Sequence, residues 1–370
     1  MKLVFSSFPE FSDNSLMVLQ AVLNNRVDAK CIWLLNDMSN IKNVAEKAER
    51  YLGTNVNQIV FVKKNSLKGI YHYLTANFIF ETHGMFEQFP ILPWQKKINL
   101  WHGMPLKKIG RLSGNPIKLK MTATISTAPV FDDIMSGAFE IDKRRVIKVG
   151  QPRNDLFFAN SKMDFSSLFH NHDATIAWLP TYRQSDVGDI RVDGVQKAND
   201  VGGLSETELT QIDQFLEQQE INLVVKLHPM DILNDKLTEF PHFKRIKLLT
   251  KNQFASLNLE VNDFLAATAG LITDYSSVYF DYVLTGKPIG ILQLDKSAYA
   301  DGRGFVSREV ARQFTGESIT NVNDFLTFIK KLNFTNINQK ELLDKKIYFD
   351  EYDQMGHNSI YLLKLLKLID

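Results

Sequence analysis

A short stretch in the second half of the chain, residues 270–283, decides the fold class, and it reads GLITDYSSVYFDYV. An apolar run of strand length stops at Asp274, and two serines then precede an apolar run of helical length. A strand that turns directly into a helix is half of a βαβ unit. Ser276 and Ser277 are residue types that cap helices, and the N–H groups of a helix start bind phosphate. The stretch therefore predicts an α/β fold with an anion site after the strand; an ordinary capped helix is the structural alternative.

Similar strand-like runs recur on both sides of this stretch and alternate with amphipathic segments. They are KLVFS (2–6), CIWLL (31–35), QIVFV (58–62), NFIFE (77–81), INLW (98–101), RVIKVG (145–150), ATIAWLP (174–180), INLVVKLHP (221–229) and PIGILQ (288–293). Such alternation is typical of parallel sheets. A polar stretch, 160–173, separates two series of runs, so we predict two α/β domains, 1–165 and 166–345, with a cleft between them. The segment 346–370 is predicted to be helical, packed on the N-terminal domain or, alternatively, lying on a membrane surface.

Composition excludes several classes of protein. The 370 residues carry 43 Lys+Arg against 42 Asp+Glu, a formal charge of +1, which argues against a bulk nucleic-acid binder. The single cysteine, Cys31, allows no intrachain disulfide and favours the cytoplasm. No apolar window approaches the ~20 residues of a membrane-spanning helix, so membrane contact is expected to be peripheral. Both a monomer and a homo-oligomer are compatible with the sequence.

Cationic residues follow several predicted strands, where parallel sheets bind ligands. Lys226 and His228 share one face at the end of INLVV, and a cation with a hydrogen-bond donor suits a diphosphate. Arg183 follows ATIAWLP and is predicted to bind an anion, because a guanidinium matches phosphate oxygens in pairs. Arg153 and Asp155 lie in GQPRND, and there a local ion pair or a helix cap is the structural alternative.

His102 lies in a turn after another predicted strand, in the sequence WHGMPLK. Gly103 lets the backbone approach a ligand closely, and the setting suits a proton-transfer group. A surface histidine without a role is the alternative. The sequence shows no acidic cluster with metal-ligand spacing, so no metal and no cofactor are expected, and a bare H-x-H at 170–172 is a weak signal.

The ordered motifs WHGMPLK, GQPRND, LPTYR, KLHP and TDYSSVYFDY resemble the CDP-glycerol glycerophosphotransferase family, the teichoic-acid primases and polymerases. The opening SFPEFSDN and the stretch from Lys287 to Phe305 are similar to the family as well, so that the resemblance runs from about residue 4 to 357. It implies two Rossmann-like domains of glycosyltransferase-B type, with the acceptor handled by the N-terminal domain and CDP-glycerol by the C-terminal one. Met104, Gln151 and Tyr182 depart from the family pattern, which leaves donor and acceptor preference open.

The resemblance also implies the reaction. Glycerol phosphate would pass from CDP-glycerol to a hydroxyl of a lipid-linked (polyprenyl diphosphate) teichoic-acid or capsule-type acceptor, and CMP would be released. His102 and His228 correspond to the family's two motif histidines and are predicted to be catalytic. The remaining candidate residues are predicted to bind substrate: Lys226, Arg183, Ser276, Ser277, Asp274, Arg153, Asp155, Gly103, Lys107 and Arg303.

Two alternatives to this reaction stay open. One is a transferase of the same fold that uses a ribitol-phosphate, sugar-phosphate or nucleotide-sugar donor. The other is a non-catalytic nucleotide-binding scaffold. A lipid-linked acceptor would bring the protein to the inner face of the membrane, where a group of basic residues could contact anionic lipid: Lys96, Lys97, Lys107, Lys108, Arg111, Lys118 and Lys120.

Overall fold

The structure, a computed structural model, describes residues 1–114, 118–159, 163–181, 200–228, 231, 233, 241–294, 304–332 and 339–370. The chain divides into two compact units. Unit 1 consists of Met1–Met104, Ile109–Ala159 and Lys346–Asp370, and unit 2 of Pro105–Lys108 and Asn160–Lys345. The predicted boundary after residue 165 therefore falls inside the sequence of unit 2, where the ring of Phe165 packs edge-on against Phe264, with 5.6 Å between centroids.

Within the described residues, unit 1 is built on a seven-stranded parallel sheet with the order β3-β2-β1-β4-β5-β6-β7. The strands are β1 (Lys2–Ser6), β2 (Lys30–Leu35), β3 (Ile59–Lys63), β4 (Phe78–Glu81), β5 (Lys96–Asn99), β6 (Ala123–Ser126) and β7 (Val146–Lys148). Most strand residues are buried, as expected for a parallel sheet covered on both faces. This strand order is that of nucleotide-binding Rossmann folds, in which ligands bind where the order reverses, here between β1 and β4.

The helices of unit 1 cover the sheet because each presents an apolar stripe. They are α1 (Asp13–Asn24), α2 (Ile41–Leu52), α3 (Leu67–Leu74) and α4 (Pro129–Phe139). In α2 the buried residues Val44, Ala48 and Leu52 recur every four positions and join the same core as Trp33. Helix start signals and helical spacing in the sequence predict helices over 13–25 and 39–53, and α1 and α2 confirm them.

Unit 2 repeats the same strand order. In its described part, a six-stranded parallel sheet runs β12-β11-β8-β13-β14-β15, and β9 and β10 form a short antiparallel pair. The strands are β8 (Ala174–Leu179), β9 (Asp200–Val201), β10 (Leu204–Ser205), β11 (Ile221–Lys226), β12 (Ile246–Leu249), β13 (Gly270–Thr273), β14 (Ile289–Leu292) and β15 (Glu317–Ile319). The order reverses between β8 and β13, so the ligand edge is expected at the ends of those strands.

The helices of unit 2 are α5 (Ser166–Phe169), α6 (Glu206–Gln219), α7 (Lys251–Ser256), α8 (Val261–Ala266), α9 (Val278–Val283), α10 (Arg308–Gln313) and α11 (Val322–Leu332). Apolar residues at 209, 212, 215 and 216 predict a helix over 206–219, and α6 has these bounds. Ser205 and Glu208 form a reciprocal capping box at its start. Leu209, Ile212 and Leu216 turn its apolar face into the core.

The end of the chain forms two helices, α12 (Gln339–Asp350) and α13 (Asn358–Leu365), where the sequence predicted one helical segment over 346–370. The break contains Gly356 at φ +90°, a conformation that favours glycine and stops a helix. Leu362, Leu363 and Leu366 join the core of unit 1. In the described ranges of the chain, no helix combines the length and the apolarity needed to cross a membrane.

Candidate active site

The side chain of Asn14 ties together three loops at the carboxyl edge of the unit 1 sheet. Its Nδ2 donates to the carbonyl oxygens of Leu100 (3.1 Å) and Trp101 (2.9 Å) and to Oε1 of Gln151. Its Oδ1 accepts from the backbone N–H of Arg153 at 3.0 Å. Asn14 is fully buried, so these bonds fix the loops that follow β1, β5 and β7 relative to one another.

Arg153 pairs with Asp13, and Asp155 serves a different purpose. Nη1 of Arg153 lies 3.0 Å from Oδ1 of Asp13, and both side chains are almost completely buried. The two carboxylate oxygens of Asp155 accept the N–H groups of Asn358 (2.8 Å) and Ser359 (2.9 Å) at the start of α13. The local Arg153–Asp155 pair considered from the sequence is therefore wrong. We also correct the prediction that Asp155 binds substrate, since its oxygens anchor a helix start.

His102 lies in the loop that follows β5, where a hydrogen bond and neighbouring aromatic rings hold it. Its Nδ1 is 3.1 Å from the carbonyl oxygen of Thr82, the residue after β4. Its ring stacks on His83 with 4.0 Å between centroids and an angle of 12°, and lies 4.1 Å from the ring of Trp101. Since a carbonyl only accepts, Nδ1 carries the proton, and in the neutral ring the lone pair lies on Nε2. This arrangement suits a general base.

The residues that follow His102 pass from unit 1 to unit 2. Gly103 has φ +127°, a value that side-chain-bearing residues rarely adopt. Lys107 forms an isolated antiparallel bridge with Phe305, and the carbonyl of Leu106 accepts from Val306 N–H at 2.9 Å. Gly103 and Lys107 thus belong to different units, although one motif contains both.

Lys226 ends β11 at the carboxyl edge of unit 2, with an aromatic ring as its neighbour. Its Nζ lies 4.7 Å from the centroid of Phe254, and burial lowers the pKa of Lys226 to about 8. Two residues on, the carbonyl of His228 accepts from Asp231 N–H at 2.9 Å, and Leu227 N–H donates to Leu249 at 3.1 Å. These bonds hold the turn that carries the imidazole.

Asp274 joins two of the predicted motifs. Its Oδ2 accepts both the backbone N–H (2.9 Å) and the hydroxyl (2.6 Å) of Thr181, the residue before Tyr182 in LPTYR. This contact follows from the sheet register, because β13 pairs with β8 and Thr273 lies opposite Leu179. Asp274 therefore holds the loop after β8 against the loop after β13.

Ser276 and Ser277 precede α9, as predicted, but the capping differs. Ser277 occupies the N-cap position and makes no side-chain cap. The N–H of Ser276 donates to the carbonyl of Asp274 at 2.9 Å, and Tyr279 and Phe280 bond back to the two serine carbonyls. Ser277 is thus the N-cap residue, as predicted, but a tight turn and not its hydroxyl satisfies part of this helix start. Binding of phosphate at the serines stays a prediction.

Two predicted anion ligands, Arg183 and Arg303, lie outside the described residues. Among the residues that are described, no group of three or more His, Cys, Asp or Glu side chains could hold a metal ion.

Sequence reasoning missed four polar residues of these edges: Asn14, Thr82, His83 and Thr181. Each follows a strand next to the reversal of strand order, and this position was the available signal. Their contacts reach residues distant in the chain, which no local pattern reveals.

Comparison with known proteins gives one match over nearly the whole chain. The family model described as CDP-glycerol:poly(glycerophosphate) glycerophosphotransferase matches residues 1–359. A teichoic acid ribitol-phosphate primase of Bacillus spizizenii is 24% identical over 264 residues, which are 64% of this chain and 61% of the relative. A teichoic acid poly(glycerol phosphate) polymerase of the same organism is 23% identical over 330 residues, 82% of this chain and 76% of the relative.

A solved structure agrees in fold. The wall teichoic acid polymerase TagF superposes with a TM-score of 0.74 at 19% identity, over 99% of this chain and 88% of that one. Together with the strand orders above, this confirms the predicted fold class, two Rossmann-like domains of glycosyltransferase-B type. The cleft between them stays a prediction.

Proposed function

The chain belongs to the CDP-glycerol:poly(glycerophosphate) glycerophosphotransferase family, and from this premise we propose that it transfers glycerol phosphate from CDP-glycerol to a hydroxyl of a lipid-linked teichoic-acid or capsule-type acceptor. CMP is the second product. The observation that carries the proposal is the setting of His102, whose Nδ1 bonds to a backbone carbonyl at the ligand edge of a Rossmann sheet. That bond leaves Nε2 as the basic atom.

In the proposed reaction the acceptor oxygen attacks the phosphorus that bears glycerol. The bond from that phosphorus to the bridging oxygen breaks, and CMP leaves with the oxygen and its electron pair. The proton of the acceptor hydroxyl passes to Nε2 of His102. Catalysis then rests on positioning and on stabilising phosphate charge.

Unit 2 supplies the groups proposed to bind the diphosphate. Lys226 and His228 follow β11, and the serines 276 and 277 follow β13. Arg183 and Arg303 are proposed to complete this set. The ammonium of Lys226 supports the assignment, because within the described residues it contacts the aromatic ring of Phe254 and not a carboxylate. Asp274 and Arg153 are proposed to shape the two binding loops, and Gly103 and Lys107 to bind substrate.

The test is donor-dependent CMP release by purified protein with a short synthetic polyprenyl-diphosphate acceptor, combined with the mass of the product. CDP-glycerol, CDP-ribitol and a UDP-sugar are compared at equal concentration. We expect CMP and a product heavier by one or more glycerol phosphates. Binding of CDP-glycerol without any CMP would indicate the non-catalytic scaffold instead.

Ribitol phosphate is the second candidate donor. It is favoured by the similarity to a protein named teichoic acid ribitol-phosphate primase. Faster CMP release from CDP-ribitol than from CDP-glycerol would establish it. The same assay in excess EDTA tests the expectation that neither metal nor cofactor is needed: we expect unchanged turnover, and complete loss would contradict it.

We also propose peripheral attachment to the cytoplasmic face of the membrane, although with a different surface from the one expected. Lys97, predicted as a surface cation, is fully buried and bonds to Glu87 at 2.7 Å, and Arg111 and Lys118 pair with Glu140. The cations Lys107, Lys108 and Lys120 are not needed for the proposed surface.

An exposed apolar group lies instead on and beside α3. Leu67 and Tyr71 are 88% and 59% exposed, and Trp94, bonded to the end of α3 at Leu74 O, is 56% exposed. Lys2 lies 4.7 Å from the Tyr71 ring. Aromatic and apolar side chains beside lysines suit an anionic bilayer surface. Vesicle sedimentation tests this: Trp94→Ala with Leu67→Ser is expected to weaken binding to phosphatidylglycerol vesicles, and unchanged binding would contradict it.

A further inference from the structure

His83 is an imidazole at the candidate site to which no role has been given above. It follows β4, and its ring lies face to face with that of His102, 4.0 Å away and within 12° of parallel. The ring of Phe8 packs edge-on against His83, with 5.5 Å between the centroids. Stacked rings at this distance restrict each other's rotation, so His83 defines the plane of the His102 ring.

Thr82 contacts Nδ1 of both rings. Its carbonyl accepts from Nδ1 of His102 at 3.1 Å. Its hydroxyl accepts the N–H of Phe8 at 3.3 Å and lies 2.9 Å from Nδ1 of His83, a contact in which either atom can be the donor. In the neutral His102 ring the lone pair lies on Nε2. One residue thus holds the Nδ1 edges of two adjacent histidines.

The surroundings of His83 also disfavour a positive charge on its ring. Desolvation and then repulsion by a protonated His102 lower the pKa of His83 well below its usual range. Lys64 and Arg153 act in the same direction, and Asp13 opposes them. Desolvation, the larger cause, and repulsion by His102 both disfavour a charge on His83, so its ring stays neutral.

We propose that His83 is a positioning residue that acts through His102, holding the plane of that ring by stacking so that Nε2 points toward the reacting hydroxyl. This inference rests on the proposed function of His102. In this role the flat ring of His83 stacks against His102, and His83 itself transfers no proton.

Two substitutions of His83 distinguish the effect of a flat stacking ring from that of the imidazole nitrogens. His83→Ala removes the stacking surface, and we expect kcat to fall about tenfold with little change in the KM for CDP-glycerol, because a misplaced base slows only the chemical step. The acid limb of the kcat/KM profile is expected to move to higher pH, since water reaching the uncovered face of His102 favours its protonation. His83→Phe keeps a flat ring and is expected to stay within about threefold of wild type. A Phe variant as slow as the Ala variant would overturn the proposal.

The double variant tests whether His83 acts through His102. If it does, His83→Ala added to His102→Ala causes no further loss, whereas an independent role would lower turnover again. His172→Ala is the matched control, because that histidine is exposed, belongs to unit 2 and contacts Asp164 at 3.7 Å. It is expected to leave turnover unchanged.

Imidazole 15N–1H spectra of histidine-labelled protein give a measurement that does not depend on activity. We expect a fixed Nδ1–H tautomer for His102 in the wild type and in His83→Phe, and averaging of the two tautomers in His83→Ala. Identical His102 signals in all three proteins would overturn the positioning role. If the wild type released no CMP but showed these spectra, the proposed function would fail while the geometry of the pair would stand.

Discussion

The carboxyl edges of the two sheets share one strand order and differ in how their polar groups are satisfied. In unit 1, Asn14 bonds to three loops, Arg153 is paired with Asp13, and His102 bonds to Thr82. In unit 2, Asp274 holds Thr181, but the ammonium of Lys226 faces the ring of Phe254. One edge is internally bonded, and the other presents a cation without a carboxylate partner among the described residues.

The two edges therefore suit different functions. A base must be held in one orientation before substrate arrives, and internal hydrogen bonds achieve this. A diphosphate site needs positive charge that the protein itself does not neutralise. Polar residues of unit 1 should therefore contribute to stability and activity together, whereas Lys226 should contribute to ligand binding at some cost in stability.

His102→Ala gives the largest expected effect. Loss of a general base slows proton transfer, so we expect turnover to fall at least about 100-fold. CMP release at saturating CDP-glycerol measures it, and urea unfolding checks that the variant remains folded. Turnover near that of wild type would refute the role of His102 as the general base and the inference that the edge of unit 1 holds a base in place.

Asn14→Ala tests the bonding of the unit 1 edge. It leaves buried carbonyl and amide groups without partners, and we expect the free energy of unfolding to fall by about 2–4 kcal/mol. Asn14→Asp is the matched variant, since it keeps the acceptor for Arg153 N–H and removes the donors. A loss below about 1 kcal/mol for the alanine variant would show that the network does not hold the loops.

Lys226→Met tests the contrasting edge. We expect the affinity for CDP-glycerol to fall about tenfold or more, because a charge-assisted contact is lost, while the free energy of unfolding stays equal or rises. In the wild type, affinity is expected to weaken as the pH passes about 8, the pKa to which burial lowers Lys226, since the neutral amine no longer attracts phosphate. Lys247→Met is the control, because its Nζ lies near the Phe169 ring at 6.0 Å, away from this edge. Reduced stability without reduced affinity would show that Lys226 stabilises the fold and does not bind the ligand.

Glu81→Gln gives the smallest expected effect on activity. It tests how a buried carboxyl in unit 1 changes the free energy of unfolding with pH. Burial raises the pKa of Glu81 from 4.5 to about 8 despite Lys97, whose Nζ is 3.4 Å from Glu81 and 2.7 Å from Glu87. A raised folded-state pKa favours the folded state most below pH 4.5, and this contribution is lost as the pH rises toward 8. We expect the unfolding free energy of the wild type to decline over that interval, and that of the variant to stay nearly constant. Parallel pH profiles would contradict the assignment.

The sequence predicts the architecture well wherever strands are apolar. Runs such as CIWLL and INLVV identify buried parallel strands because both faces are covered. The strand β6, with the sequence ATIS, was missed because half of it is polar. Thr124 is nevertheless buried, and its hydroxyl bonds to the carbonyl of Asn99 at 2.8 Å. A polar residue in a buried strand looks like a loop residue until its partner is known.

The site was predictable only where a motif contains the relevant group. His102 and Lys226 stand in such motifs. His83 does not, and its importance arises because β4 and β5 are neighbours in the sheet, with Glu81 opposite Asn99. Likewise, Lys97 was taken for a surface cation because a lone lysine usually is one, and its carboxylate partner Glu87 lies ten residues earlier, in the loop between β4 and β5.

The anchoring of α13 by Asp155 has a consequence for how the protein is made. Unit 1 needs residues 346–370, whereas unit 2 is nearly continuous in the chain. During translation, unit 2 can therefore fold first, while the apolar face of α1 stays uncovered until Leu362 and Leu363 have been synthesised. A chain that ends before these residues would contain a folded unit 2 and an exposed core in unit 1.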